Sequence, residues 1–481
     1  MNRFKLFMQN FIIYGLGGTV SKIIPFIMLP IITRLMPDTT YFGLNDISTI
    51  CISFGQAIAI MGMYDAMFRM FFEQEGTEYK KSICSSALGF TVMVSAVLFA
   101  AMLLLRNPLA KMLFSSESYV NLLVLSALTI LIGATNSIIS APTRMNNKRI
   151  SYLLVNTISP VISYSIAIPL LLRGYYVIAL PLAGMIAAAS IEIIFWGLNR
   201  KWFRMNLINK RHIKEMLAIA LPLMPNFLVY WVFSSCDRLM IAKILGNEFV
   251  GVYAVGGKIG QISQLIYTAF AGGWQYFAFS TMKDSDQVEM TSKIFEYLAV
   301  ITFGAGMLMA AVSDFGFKLL FTGDYQKGSI VVPYLFLAPL LLMLFQVGTN
   351  QFIVIKKTWP NIFILGTGAM FNIGLNFILI PRVGIEGAAV ATLAGYGLSV
   401  IICLCVLQHM KLMKISGKFA ACFGAFVLYA VLWRVALKEQ AVWSLVLAVG
   451  VIGIYIICYR NDLKKLFRKG RSGKKNGDYA E

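Results

Sequence analysis

Long apolar segments recur along the 481-residue chain with only short polar gaps between them, and none alternates at period two as a barrel strand would. Read as helices, they come to about fourteen spans of roughly 20 residues, enough to cross a bilayer each. They are placed near 11–32, 42–64, 83–105, 120–140, 150–172 and 175–198, and then at 217–245 and from 249 onward. Six more follow near 294–312, 331–355, 360–380, 385–407, 419–437 and 441–459. The expected architecture is an all-α integral membrane protein. Residues 1–198 form a six-helix lobe, 199–214 a basic linker and 215–410 a second six-helix lobe. Residues 411–459 add two helices, and 460–481 form a basic tail.

The two lobes repeat one unit. Arg34-Leu35-Met36 leads to Gly43 as Lys243-Ile244-Leu245 leads to Gly251, and the two glycines are 208 positions apart. Pro169-Leu-Leu-Leu-Arg173-Gly echoes Ile380-Pro381-Arg382-Val-Gly384, with the arginines 209 apart. An even number of spans per lobe gives both the same orientation. They should therefore be related by a pseudo-twofold axis along the membrane normal, with a cavity between them.

Composition bears this out as a membrane chain, with 58% hydrophobic and 13% charged residues and a mean hydropathy of +0.73. The net charge of +20 is dealt out in small groups. With the N-terminus inside, 29 of the 42 lysines and arginines fall on the cytoplasmic side, six of them between Arg200 and Lys214. That places both termini in the cytoplasm and makes the charge topological rather than a nucleic-acid footprint. The first span is too long for a cleavable signal and is read as retained. The seven cysteines form no C-x-x-C pattern and read as packing residues, and the two histidines are far apart, so no metal site is expected.

Catalytic patterns do not appear. Gly257-Lys258 fails as a phosphate loop, because Val252 and Ile259 stand where it requires glycine and a hydroxyl. No cofactor is expected, and the chain is read as a non-enzyme. What remains are charges inside spans. A lysine near the bilayer centre costs about 2.5–3.5 kcal/mol on insertion scales. Lys22 lies near the middle of the first span, and Lys258 about 13 Å below the outer end of the eighth. Two cations at similar depth in related lobes favour an anion site in a hydrated cavity, against snorkelling or structural pairing. Asp237-Arg238 either holds the lobes together or touches substrate, and Arg34 marks the end of the first span. Asp46, Asp65, Glu192 and Glu296 are candidate ion-coupling sites as well as ordinary interfacial carboxylates. Pro25 and Pro30, with Pro222 and Pro225, interrupt the first helix of each lobe and are candidate hinges.

The chain resembles a known family through Tyr14-Gly15-Leu16-Gly17 with Lys22, and through Asp237-Arg238-Leu239-Met240-Ile241 running on to Gly251-Val252-Tyr253. Asn372 with Asn376, Ile380-Pro381, and Gly384-Ile-Glu-Gly387-Ala388-Ala389 followed by Ala391-Thr392 add to the likeness. It is similar to the Wzx-type flippases, the polysaccharide-transporter branch of the multidrug/oligosaccharidyl-lipid/polysaccharide superfamily. The resemblance implies flipping of undecaprenyl-pyrophosphate-linked oligosaccharide across the bacterial cytoplasmic membrane for surface polysaccharide (O-antigen, capsule or exopolysaccharide). It implies this substrate, membrane lipids and polysaccharide polymerase or assembly proteins as partners, and no nucleic acid. Lys22 and Lys258 fall where such flippases keep cavity cations. A lipid II flippase is the nearest alternative. A cation-coupled multidrug exporter is the second, and would favour carboxylates over lysines in the cavity.

Overall fold

A computed structural model describes residues 23–460, apart from 358, together with residue 462. Among these residues the protein is all helix and turn, with no strand. The first part of the chain forms α1 (Ile23–Leu35), α2 (Thr39–Ile60), α3 (Met63–Phe71), α4 (Thr77–Leu104) and α5 (Arg106–Phe114). It continues through α6 (Val120–Met145), α7 (Arg149–Leu172) and α8 (Ala179–Asn199). After the basic linker come α9 (Lys210–Ala220), α10 (Met224–Ile244), α11 (Asn247–Gly260), α12 (Ser263–Ser280) and α13 (Gln287–Leu320). The rest is α14 (Val332–Val354), α15 (Trp359–Val383), α16 (Ile385–His409), α17 (Gly417–Leu432) and α18 (Ala441–Cys458), with a π-helical turn, Trp433–Leu437, closing α17.

Eleven of these segments are long and apolar enough to cross a membrane. α1, α10, α11 and α12 fall short, for three reasons. α1 is described from Ile23 only, α10 carries Asp237, Arg238 and Lys243, and α11 breaks from α12 at Gln261-Ile262.

Several segments expected as loops are helical. α3, α5 and α9 are short surface helices, and α9 presents Met216 and Ala220 to the interior while Lys210 and Arg211 face out. α13 extends well past the expected 294–312 at both ends, so the outer connection is mainly the 3₁₀ segment Gly323–Val331. The expected span at 217–245 is divided: α9 ends at Ala220, a 3₁₀ turn holds Pro222, and Pro225 stands in the first turn of α10. Proline is tolerated there because the first amides of a helix have no intrahelical acceptor. Pro222 and Pro225 thus stand where the expected span is interrupted, between α9 and α10.

The packing is that of a protein dissolved in hydrocarbon. On α4, Ser85, Ser86, Thr91 and Ser95 are buried while Val92, Met93 and Val97 face outward. Buried hydroxyls there bond within the protein, as in Ser95 Oγ to Thr91 O at 2.7 Å. Between helices, Ser48 Oγ lies 2.6 Å from Ser126 Oγ, and Asn199 Nδ2 donates to Ile139 O and Thr143 Oγ1. Small residues and interhelical hydrogen bonds do this work because lipid gives apolar side chains no reason to turn inward.

Candidate functional site

The site lies along the seam where α2 meets α10 and α11. α2 and α10 run in opposite senses, so four layers follow one another from the face carrying the 246–247 turn to the face carrying the linker.

The first layer is a backbone contact. A Cβ placed on Gly43 would sit 2.0 Å from the Asn247 carbonyl oxygen and 2.9 Å from Gly251 N. One placed on Gly251 would sit 1.9 Å from the Thr39 carbonyl oxygen and 3.1 Å from Gly43 N. No side chain fits, so glycine is required at both. These are the two glycines whose spacing marks the internal repeat, and each packs on the other.

The second layer is charged. Arg238 Nε stands 3.0 Å from Asp46 Oδ2, an ion pair between α10 and α2 with both side chains about nine-tenths buried (13% and 11% exposed). Arg238 also donates to Ser234 O, and its guanidinium lies over the Tyr253 ring at 5.8 Å. The Tyr253 hydroxyl donates to Asp237, whose other oxygen accepts from Arg238 N at 2.8 Å. Asp237 and Arg238 therefore serve different partners, and every partner is protein. Asp46 is buried within α2 rather than interfacial.

The third layer is aromatic. Phe54 and Trp231 meet with ring centroids 4.5 Å apart, and Trp231 Nε1 donates to Ser53 Oγ at 3.3 Å. Beyond it, at the linker-face ends of α2, α6, α7 and α10, opens a cavity of about 580 Å³. Its wall carries Gln56, Asn136, Asn156, Tyr152, Asp65 and Arg144. Arg144 donates to the Tyr64 hydroxyl at 2.6 Å, and its guanidinium lies 5.4 Å from the Tyr152 ring centroid. Burial raises the Asp65 carboxyl above the usual aspartate range, and Arg144 opposes that shift.

A second cavity, of about 480 Å³, holds Lys258 between α1 and the α11–α12 break. Pro25, Phe26, Gln261 and Gln264 share its wall. Lys258 lies eleven residues from the start of α11, about 16 Å along it. It reaches the Phe42 ring at 5.9 Å, and among the described residues it has no carboxylate partner. Lys22, its proposed counterpart, lies outside the described residues.

The remaining candidates are dispersed. Pro30 is in α1 and half-buried, and Arg34 at the far face approaches Leu320 O at 3.5 Å beside a separate cavity of about 930 Å³. Glu192 accepts from Thr135 Oγ1 at 2.6 Å on the other side of α6. Glu296 accepts from Ser416 N at 2.6 Å, Ser416 Oγ at 2.8 Å and the Tyr459 hydroxyl at 3.1 Å, and so ties α13 to the last two helices. Of the motif residues, Asn372 donates to Thr392 Oγ1 across α15 and α16, and Asn376 to Asn372. Glu386 accepts from Tyr334 and pairs with Arg434. Sequence reading placed Arg144 among loop cations. The polar run Asn136, Ser137, Ser140 inside an otherwise apolar span was the available signal for its cavity.

The seam, with a polar cavity at one face and close backbone packing at the other, lies in a polytopic α-helical membrane bundle. The chain belongs to the family described as polysaccharide biosynthesis protein, which it matches over residues 31–329. It is 26% identical over 299 residues to the uncharacterized membrane protein MJ1068 of Methanocaldococcus jannaschii, the match covering 58% of each. It therefore spans little more than half the length of that relative. In fold it is similar to the lipid II flippase MurJ in an inward closed conformation, with a TM-score of 0.71 and 14% identity over 94% of this chain and 100% of that one. It is also similar to an inward-facing multidrug-resistance MATE transporter of the MOP superfamily, with a TM-score of 0.62 and 11% identity over 81% and 94%.

Proposed function

We propose that this protein flips an undecaprenyl-pyrophosphate-linked oligosaccharide from the cytoplasmic to the outer leaflet by alternating access, for surface polysaccharide assembly. The observation that carries the reading is the seam: a polar cavity holding Arg144 at the linker face, and glycine-to-glycine packing closing the opposite face. The linker face is cytoplasmic on the distribution of lysine and arginine, so the arrangement is an inward-facing state. Both termini then lie in the cytoplasm, and residues 1–198 and 215–410 are the two lobes that rock about the seam.

Each part has a physical task. A pyrophosphate carries at least two negative charges and needs cations in a hydrated space. Arg144 offers the first at the entrance and Lys258 a second about midway through the bilayer. Gln56, Asn136 and Asn156 offer amides suited to sugar hydroxyls, with the Tyr64 and Tyr152 rings beside them. Asp46–Arg238 lies on the route and must part or shift when the far face opens, so it acts as a latch between α2 and α10.

The test is the leaflet accessibility of undecaprenyl-pyrophosphate glycan in cells lacking the protein and in cells carrying Arg144→Ala with Lys258→Ala. Glycan accumulating on the cytoplasmic side in both supports the function and the site. Accumulation in the deletion alone keeps the function and removes these cations from it. Unchanged sidedness in both, with drug efflux lost instead, replaces the flippase by a multidrug exporter.

A further inference from the structure

On the far side of α6 from the Arg144 cavity is a lateral cavity of about 700 Å³, opening between α4 and α8 just above the linker. Thr135 and Ile139 of α6 face it, whereas Asn136, Ser137 and Ser140 face the Arg144 cavity, so α6 separates the two. The lateral cavity belongs to no part of the seam.

Its construction is graded. The walls are apolar, with Val92 (46% exposed) and Ile193 (72% exposed) open to the hydrocarbon side. Its lower edge is the linker itself, which serines of α4 hold in place. Ser85 Oγ accepts from Arg204 N, Ser86 Oγ accepts from Asn209 N, and Ser82 Oγ donates to Leu207 O. Ile208 of the linker reaches inward until its Cδ1 is 2.9 Å from where a Gly89 Cβ would lie. Trp196 stacks on Phe203 with centroids 5.8 Å apart, and Met205 is almost wholly exposed beside them. Trp196 is of the residue type enriched where a membrane meets water. Arg204 stands at the mouth, and Arg200 and Lys201 precede it in the same stretch. Glu192 lies deeper in the same wall, its carboxylate bonded to Thr135.

We infer that this cavity binds an anionic glycerophospholipid of the linker-face leaflet, with its phosphate at Arg204 and an acyl chain between α4 and α8. Charge complementarity selects the occupant. The cationic mouth attracts the phosphate, while Glu192 keeps negative charge from moving deeper, and the apolar walls take the chain. The bound lipid is distinct from any transported one, because α6 stands between. It would fix the linker that joins the residues on either side of it.

The test is native mass spectrometry of the full chain in detergent, titrated with phosphatidylglycerol and with phosphatidylcholine. Phosphatidylglycerol should bind the more tightly. Arg204→Ala should weaken it by roughly fivefold, the fold-change that corresponds to about 1 kcal/mol for one basic residue at an anionic lipid surface, and should weaken phosphatidylcholine, whose choline offsets its phosphate, by less. Arg204→Lys should keep the preference. Ala189→Trp, which fills the cavity from α8, should abolish one stoichiometric lipid of either kind. Equal binding of the two lipids, an undiminished preference in Arg204→Ala, or full occupancy in Ala189→Trp overturns the assignment.

Discussion

The glycine contact between α2 and α11 yields the sharpest test, through Gly251→Ala. The new Cβ would lie 1.9 Å from the Thr39 carbonyl oxygen and 3.1 Å from Gly43 N. A carbon and an oxygen in van der Waals contact need more than 3 Å, so the helices must separate locally by about 1 Å or more. Neither obstructing atom can swing away, because both belong to helix backbone. Overpacking of this kind costs about 1–3 kcal/mol, charged here to the state in which the far face is closed. If the open state lacks the contact, the equilibrium shifts toward it by a factor of roughly 5–150. Spin labels at Glu117 and Lys327, both exposed near the far face, would report the separation in a background without the seven native cysteines. The expected outcome is a longer distance population that is absent or minor in the parent. Gly43→Ala should behave alike. Gly184→Ala, where nothing lies within 4 Å of the new carbon, should leave the distribution unchanged. A parental distance distribution in Gly251→Ala, with thermal stability also unchanged, would refute the reading of this contact as the closed gate.

Other consequences are equally direct. Arg238→Ala leaves Asp46 buried without its cation and should lower stability by about 3–5 kcal/mol. In a thermal-unfolding double-mutant cycle, adding Asp46→Ala should recover part of that loss, and strict additivity would mean that the pair is not coupled. Glu296→Ala removes the acceptor of three hydrogen bonds, two of them from Ser416, and should cost at least about 1.5–3 kcal/mol. It should also make the 410–416 connection a site of limited proteolysis, and parental resistance there would count against Glu296 as the anchor. Asp65, its carboxyl raised by burial, binds its proton more tightly folded than unfolded. Its protonation therefore contributes stability that is complete below the ordinary aspartate pKa of 3.8 and is lost as pH rises through the higher folded value. The melting temperature of Asp65→Asn should lack that fall, and superimposable pH profiles would dismiss the effect.

Much of this was legible in the residues alone. A chain whose apolar runs recur with short gaps and whose cations cluster on alternate gaps has to be a helical membrane protein, because hydrocarbon leaves the backbone no other partner than itself. The repeat offset was readable as well, since Gly43 and Gly251 occupy matching places after matching tripeptides. Intramembrane charge drew attention to Asp237, Arg238 and Lys258 for the cost of placing charge in lipid. Partnership was not readable. That Arg238 pairs with Asp46, nearly two hundred residues earlier, while its neighbour Asp237 accepts a hydrogen bond from Tyr253, depends on where α2, α10 and α11 cross. The amphipathic turns α3, α5 and α9 passed for loops, because short helices lack the length over which a period can be read. Arg144 passed for a loop cation because topology counts charges at helix ends without regard to what they face. Sequence determines which solvent a segment must meet. Only the crossing of helices decides which side chains share a cavity, because contacts across a bundle join residues that no local pattern connects.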